Sequence, residues 1–433
     1  MKLTTASALV SELRRHVGEI VRPADESSVV AGIRPTVVAE PRSVEHVAAL
    51  LSFANAEGLK VLIRGGGTHE AMGFSPAAAD ILLSTRALDK ILDYTAHDQT
   101  ISVQAGMRFE SLQKALAPAG QWLALDPPIE SGATVGGVLS TNVSGPRRLR
   151  YGGVRDQLLG VRVVLADGTI ARGGGKVVKN VAGYDLPKLF TGALGTLGVV
   201  VEASFRVYPR LTLSRTILMR ADSLRPLCAL ATHINGLPLA LTALDVFDRR
   251  LDNTALFALA VRFESHVDAA IEDQAEACMA LAAKSGLSCA AVSGEEESAV
   301  WDHTALGSGL RGDEMDAEIK ASLLPSEVAE WLERLEAVAE RARLDARWRA
   351  HAGHGLVTAR IAGDSDPLVT ALCELREAAH AQRGTMVVTS APPALSDRFD
   401  VWGPSPALEL MRSVKARFDP LSTLNPGRFI GRL

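Results

Sequence analysis

KVLIRGGGTHEAMG, Lys60 to Gly73, runs an apolar strand pattern straight into three successive glycines, Gly65, Gly66 and Gly67. Glycine adopts dihedrals that a Cβ resists, so such a triplet can turn several backbone N–H groups to one side and form a concavity for an anion such as pyrophosphate. A flexible turn would have the same composition, and the triplet alone leaves both readings open. Two familiar phosphate motifs are excluded by inspection. Glu70 stands where a GxGxxG beginning at Gly65 needs its last glycine, and in GGGKVV Val177 stands where a P-loop needs Ser or Thr. A nucleotide cradle here must be built differently.

Outward from this stretch, apolar runs alternate with helical patterns from Thr36 to Pro209, which predicts a mixed α and β domain. PRSVEHVAALLSFANAEG, directly upstream, has Ser43 as its N-cap and Gly58 as its stop, so a strand, helix, strand unit ends in the glycine cluster. Downstream, DPPIESGATVGGVLSTNVSGPRRLRYGGVRDQ packs small residues at a density no core helix would choose. Gly132, Thr134, Gly136 and Gly137 can bring backbone close to a ligand, and Asn142, Ser144 and Gly145 can do so again a turn later. Two close-approach sites suggest an extended ligand. After Pro209 glycines thin out and longer helical patterns appear, with strand-like runs ALTALDVF, ALFALAVRF and GLVTARIAG between them, so a second domain begins near residue 211. The sequence shows no repeat.

At 433 residues the chain can hold two or three hydrophobic cores. A formal charge of −4 and the absence of stretches where lysines and aromatics interleave make nucleic acid a poor partner. Cys228, Cys278, Cys289 and Cys373 lie far apart, so neither a disulfide framework nor a zinc or iron-sulfur site is suggested, which fits a reducing cytoplasm. The N-terminal pattern, broken by Glu12, Arg14, Arg15 and Glu19, reads as an amphipathic helix rather than a secretion signal, and no apolar run is long enough to span a bilayer. Peripheral contact at the inner face of the plasma membrane is the most that membrane association would amount to.

Four stretches in series, RGGGT (64–68), SGATVGGVLSTNVSG (131–145), RYGGVRDQLLGVRVVLADG (150–168) and LGTLGVV (194–200), resemble the FAD-binding domain shared by the vanillyl-alcohol-oxidase and para-cresol-methylhydroxylase (PCMH-type) proteins. GGGKVVKNVAGYDLPKLFTGALGTLGVV, residues 173–200, further resembles the signature of the FAD-binding subunits of bacterial glycolate oxidase. The resemblance covers residues 36 to 209 well and the second domain only loosely.

It implies FAD held by Arg64, Gly65, Gly66, Gly67, Thr68 and His69 of the first loop and by Pro128, Ser131, Gly132, Thr134, Gly136 and Gly137 of the second. Asn142, Ser144, Gly145 and Tyr151 would follow as further contacts, Gly195, Gly198 and Val199 would lie against the adenine end, and the flavin ring would lie at the domain interface. Some relatives attach the flavin through a histidine directly after the glycine triplet. Thr68 occupies that position here, with His69 one step on, so FAD is expected to bind noncovalently.

Relatives that oxidise 2-hydroxy acids share a GHxGDGNxH segment in the second domain, and the nearest match is AHAGHGLVTAR, residues 350–360. His351 matches the first histidine, but His354 replaces the acidic residue and Val357 with Thr358 stand near the second histidine. Two imidazoles three apart could still act as acid and base near neutral pH; the alternative is a site that has lost its chemistry. Arg311, Lys320 and Arg360 are candidate carboxylate holders, though such a residue is more often a solvated surface charge. Asn425, in FDPLSTLNPGRF, resembles the NPG turn that folds back near the flavin in the family. His351, His354, Arg360 and Asn425 are therefore the catalytic candidates, with no metal.

The expected architecture is α+β: an N-terminal helical segment (1–35), a two-subdomain PCMH-type FAD-binding domain (36–210), a mixed α+β cap domain (211–400), and a C-terminal helix and tail (401–433) returning to the FAD domain. The resemblance implies a glycolate oxidase FAD subunit that oxidises glycolate or D-lactate to the 2-oxo acid. Its partners would be a related FAD subunit and an iron-sulfur subunit that take the electrons. A stand-alone 2-hydroxy acid or alcohol dehydrogenase and an electron-relay subunit without a substrate site are the alternatives.

Overall fold

The computed structural model describes residues 6–127, 132–176, 184–248, 256–302 and 315–433. The chain divides into two compact units, Met1–Val143 with Gly153–Pro209 and Trp402–Leu433, and Ser144–Gly152 with Arg210–Val401. The anticipated unbroken 36–210 domain is therefore interrupted. Residues 144–152 pack with the second unit because Arg147 pairs with Glu264 at 3.1 Å and Arg150 donates to Thr242 Oγ1 and the Glu264 carbonyl. The 1–35 segment is likewise no separate body. Helix Ala6–Val17 buries Leu9, Val10, Leu13 and Val17 in one core with Val44, Val47, Leu50 and Leu51 of helix Val44–Ala56.

Among the described residues the first unit holds two main sheets, beside a short pairing of Tyr208–Pro209 with Gln121–Trp122. In the smaller, Val61–Arg64 and Val37–Ala39 flank Ile81–Ser84 in parallel, and Val21–Pro23 adds an antiparallel edge. Helix Val44–Ala56 makes the crossover from Val37–Ala39 to Val61–Arg64, which run parallel on either side of Ile81–Ser84. It begins at Ser43, whose hydroxyl accepts from the His46 N–H at 3.2 Å, the N-cap read from sequence. The larger sheet is antiparallel, in the order Ile91–Thr95, Thr100–Gln104, Val199–Arg206, Leu158–Val164, Ile170–Gly174. The C-terminal turn returns to this unit and lies along Val61–Arg64: the Val61 N–H donates to the Thr423 carbonyl at 2.8 Å and the Asn425 N–H to the Val61 carbonyl at 2.9 Å.

Among its described residues the second unit forms one eight-stranded antiparallel sheet, with an internal symmetry that the sequence hides. Its first half runs strand, helix, strand, strand, helix, strand from Leu213–Ala221 to Ser288–Val292, and the second half repeats that order from Met315–Ser322 to Thr385–Ser390. Within the sheet the halves are mirror-ordered, meeting where Leu241–Asp248 pairs with Asp345–His351. Because side chains alternate across a strand, Trp348 points into helix Val328–Ala342, donating its indole N–H to Glu336, while Arg349 and His351 point to the opposite face. Among the described residues no helix is long and apolar enough to cross a membrane.

Candidate functional site

A cleft in the first unit is lined by Arg64, Gly65, Gly66, Gly67, Thr68 and His69 from the first loop, Gly136, Gly137, Ser140 and Thr141 from the second, Leu194, Gly195, Gly198, Val199 and Val200 from the third, and Ile63, Glu70, Thr85, Asn425 and Arg428. The first two loops touch back to back. A Cβ on Gly66 would collide with the Gly132 carbonyl and one on Gly65 with Thr134 Oγ1, so only glycine lets these backbones meet. Arg86 then fixes the orientation. Its guanidinium donates to the Gly65 carbonyl at 3.1 Å and the Gly66 carbonyl at 2.8 Å. In a trans peptide N–H opposes C=O, so the N–H groups of Gly66 and Gly67 point away from Arg86. Neither donates to another protein group among the described residues. Two neighbouring unspent N–H groups at a cleft make an anion nest, and they fit a diphosphate.

The candidates fare differently within this cleft. Arg64 lines it, but its guanidinium is taken up by Glu70 and by the carbonyls of Ser27 and Val29, both at 2.7 Å. Gly132 and Thr134 support the first loop from behind. Asn142 ends helix Val135–Thr141 in the left-handed conformation, at φ 52°, and shapes the turn without lining the cleft. Ser144, Gly145 and Tyr151 lie on the segment claimed by the second unit and do not line it either, held by the Arg147 and Arg150 contacts described above. Pro128 and Ser131 fall outside the described residues, as do Lys179, Asn180 and Gly183 of the KNVAGYDL signature and Arg311. His69 is held by the Thr68 hydroxyl at 3.1 Å, and burial lowers its pKa.

Asn425, a catalytic candidate by sequence, is a clamp. Its Oδ1 accepts from the Ile63 N–H at 3.0 Å while Nδ2 donates to the carbonyl of Leu194, a bulky residue held at φ 49°. One amide thus ties the first loop to the third and fixes a backbone conformation such a residue seldom adopts. Lys415 reinforces the tie: it is buried, pairs with Asp419 at 2.6 Å, and donates to the carbonyls of Thr196 and Leu424. Arg86, Lys415 and Arg428 were not legible as site residues, because a lone basic residue carries no motif.

The second unit carries a polar stripe on the sheet face opposite its helices. His351 Nδ1 lies 2.9 Å from Asp245 Oδ1 directly across the seam between the two halves, and Arg349 sits 3.0 Å from the other oxygen of the same carboxylate. Asp245 is fully buried and His351 nearly so. With Nδ1–H donating to the carboxylate, Nε2 becomes the basic nitrogen. His354 stacks parallel to His351 with ring centroids 5.7 Å apart; neither of its nitrogens has a hydrogen-bond partner among the described residues. Burial, and then His351, push its pKa down to about 4.

Thr358 and Lys320 are cross-strand neighbours on the same face, one rung from His351. Burial lowers the Lys320 pKa, and the charge of Arg148, from the short helix Arg148–Tyr151, lowers it further. Arg360, by contrast, is committed to Asp316, with Nε 3.0 Å from Oδ2, so its charge is already balanced. Among the described residues no three His, Cys, Asp or Glu side chains converge as a metal site.

Comparison with known proteins matches two family models in series along the chain. Residues 35–174 match the FAD binding domain, and residues 202–387 and 403–429 match the C-terminal domain of FAD linked oxidases. The D-lactate dehydrogenase of Archaeoglobus fulgidus is 28% identical over 418 residues, covering 92% of each chain. The glycolate oxidase subunit GlcD of Bacillus subtilis is 26% identical, covering 92% of this chain and 89% of its own. The D-2-hydroxyglutarate dehydrogenase of Xanthomonas citri is 38% identical but only over 173 residues, 37% of its length. The crystal structure of p-cresol methylhydroxylase with substrate bound superposes with a TM-score of 0.81 over 98% of this chain and 96% of that one, at 15% identity, so the two share the fold. With both domain matches in sequence order and a cleft whose glycines and unspent N–H groups suit a dinucleotide diphosphate, this chain belongs to the FAD-linked oxidases and is an FAD-dependent oxidoreductase.

Proposed function

We propose that this chain oxidises a small 2-hydroxy acid, glycolate or D-lactate, to the 2-oxo acid as the FAD-binding subunit of a glycolate oxidase type complex. The observation that carries the reading is the Asp245–His351 pair, a buried carboxylate fixing the tautomer of an imidazole on the same sheet face as the half-buried Lys320. Similarity along nearly the whole chain to a D-lactate dehydrogenase and a glycolate oxidase subunit supports the substrate class.

When bound, FAD supplies the acceptor for the two electrons leaving the substrate carbon. The side chains do the rest in this reading. Lys320, with Arg148 close by, holds the carboxylate. His351 takes the hydroxyl proton on Nε2, and Asp245 orients the ring and balances the charge it then carries. His354, neutral above pH about 4, adds no charge that would hinder this protonation. Cys228, Cys278, Cys289 and Cys373 are all free thiols, so no disulfide is available as an internal electron store. The electrons pass instead to a partner, for which a related FAD subunit and an iron-sulfur subunit are proposed.

Thr358, standing where the resemblance leads one to expect a second histidine, favours a second reading in which the chain relays electrons for a partner's substrate site. A steady-state assay separates the two. The purified yellow protein, given glycolate or D-lactate and a dye acceptor, turns over if the first reading holds. Absence of turnover alone, with turnover in the co-purified complex that survives His351→Ala, leaves the relay.

A further inference from the structure

Arg428 stands on the C-terminal turn and lines the cleft beside Glu70 and Asn425, with 7% of its surface exposed. One of its terminal nitrogens donates to the carbonyls of Glu70 and Met72. Its Nε is buried with no hydrogen-bond partner among the described residues. No carboxylate lies within ion-pair distance of it among those residues either: Glu70, whose carboxylate pairs with Arg64, offsets its burial only in part and from longer range. Carbonyl dipoles solvate a guanidinium in part but do not neutralise it, and a buried cation without a counter-ion is strongly disfavoured. Burial accordingly pulls its pKa down to about 10, still charged at neutral pH. Along the cleft Arg64 and Glu70 cancel, and one positive charge remains.

We propose that the diphosphate of FAD is the counter-ion of Arg428, so that this arginine is a cofactor-binding residue. The division is physical. The Gly66 and Gly67 N–H groups give direction but no net charge, while a guanidinium supplies charge and a planar pair of donors suited to phosphate oxygens. Because Arg428 follows the Asn425 clamp in the same turn, diphosphate binding and seating of the C-terminal turn stabilise each other.

The proposal rests on FAD occupying this cleft, and the test keeps the two apart. Flavin-free protein is titrated with FAD and, separately, with ADP, which carries the diphosphate without the flavin ring. Wild-type protein that binds neither would contradict occupancy of the cleft by FAD. Given wild-type binding, Arg428→Met should weaken both ligands by about 10- to 100-fold and flatten the salt dependence, while Arg428→Lys recovers part of the loss. Thermal melting of the flavin-free protein supplies a readout that a merely structural arginine would move differently. The Met variant should melt no lower than wild type without FAD and show a smaller rise on adding it. Unchanged FAD and ADP affinity, or a flavin-free Met variant that melts well below wild type, would overturn the proposal.

Discussion

The cleft of the first unit is made of backbone, and the polar face of the second is made of side chains. In the cleft, Gly65 and Gly66 are required because two loops touch, and the N–H groups of Gly66 and Gly67 are aimed by Arg86 through the backbone. On the sheet face, Asp245, His351, Thr358 and Lys320 each come from a different strand and are brought together only by register. A backbone site fails when a side chain is added, whereas a side-chain site can change its chemistry one residue at a time without disturbing the sheet. The two units should therefore respond to substitution in opposite ways.

The largest effect is expected at Gly66. A Cβ there meets the Gly132 carbonyl, so Gly66→Val should give a protein that purifies colourless, checked by flavin absorbance per chain. Next is Asp245→Asn, which keeps the shape but removes the charge that orients His351; kcat should fall by about 10²- to 10⁴-fold with flavin content unchanged. A variant that loses flavin instead would blur the contrast between the units. Lys320→Met should act on binding, raising KM by about 10- to 100-fold with a smaller change in kcat.

The smallest effect concerns acid stability. The His354 pKa is lowered from 6.5 to about 4, so the unfolded chain takes up this proton first as pH falls. Stability is therefore fully present above pH 6.5 and declines towards pH 4. Because the ring is only partly shielded, the loss should be on the order of 1 kcal/mol. His354→Leu should flatten the dependence of Tm on pH across that window.

The same contrast between backbone and side-chain sites decides which features are legible in the sequence. Glycines forced by close approach leave a sequence trace in fixed order, which is why RGGGT, SGATVGG and LGTLGVV carry the resemblance to a known FAD-binding domain. Helix Val44–Ala56 and its Ser43 cap follow from local periodicity alone. The partner of His351 could not be read, since Asp245 lies 106 residues away and is placed by strand order. The doubled strand and helix order of the second unit was hidden too, because alternation recurs in any half-buried sheet whatever its ancestry. Ser144, Gly145 and Tyr151 show a related limit: small residues and an aromatic mark a tight segment, while Arg147 and Arg150 decide to which unit it belongs. Asn425 was found by motif, but its role as a clamp depends on Ile63 and Leu194, which no local pattern names.

The central claim, that this chain itself oxidises a 2-hydroxy acid through the Asp245–His351 pair, meets its most direct test in a single turnover. Wild-type protein loaded with FAD is mixed anaerobically with D-lactate or glycolate, and the flavin absorbance is followed beside that of Asp245→Asn. Rapid bleaching of wild type, slowed by about 10²-fold or more in the variant, is the predicted result. Fully loaded wild-type protein that stays yellow with both acids, or a variant that bleaches as fast as wild type, would contradict it.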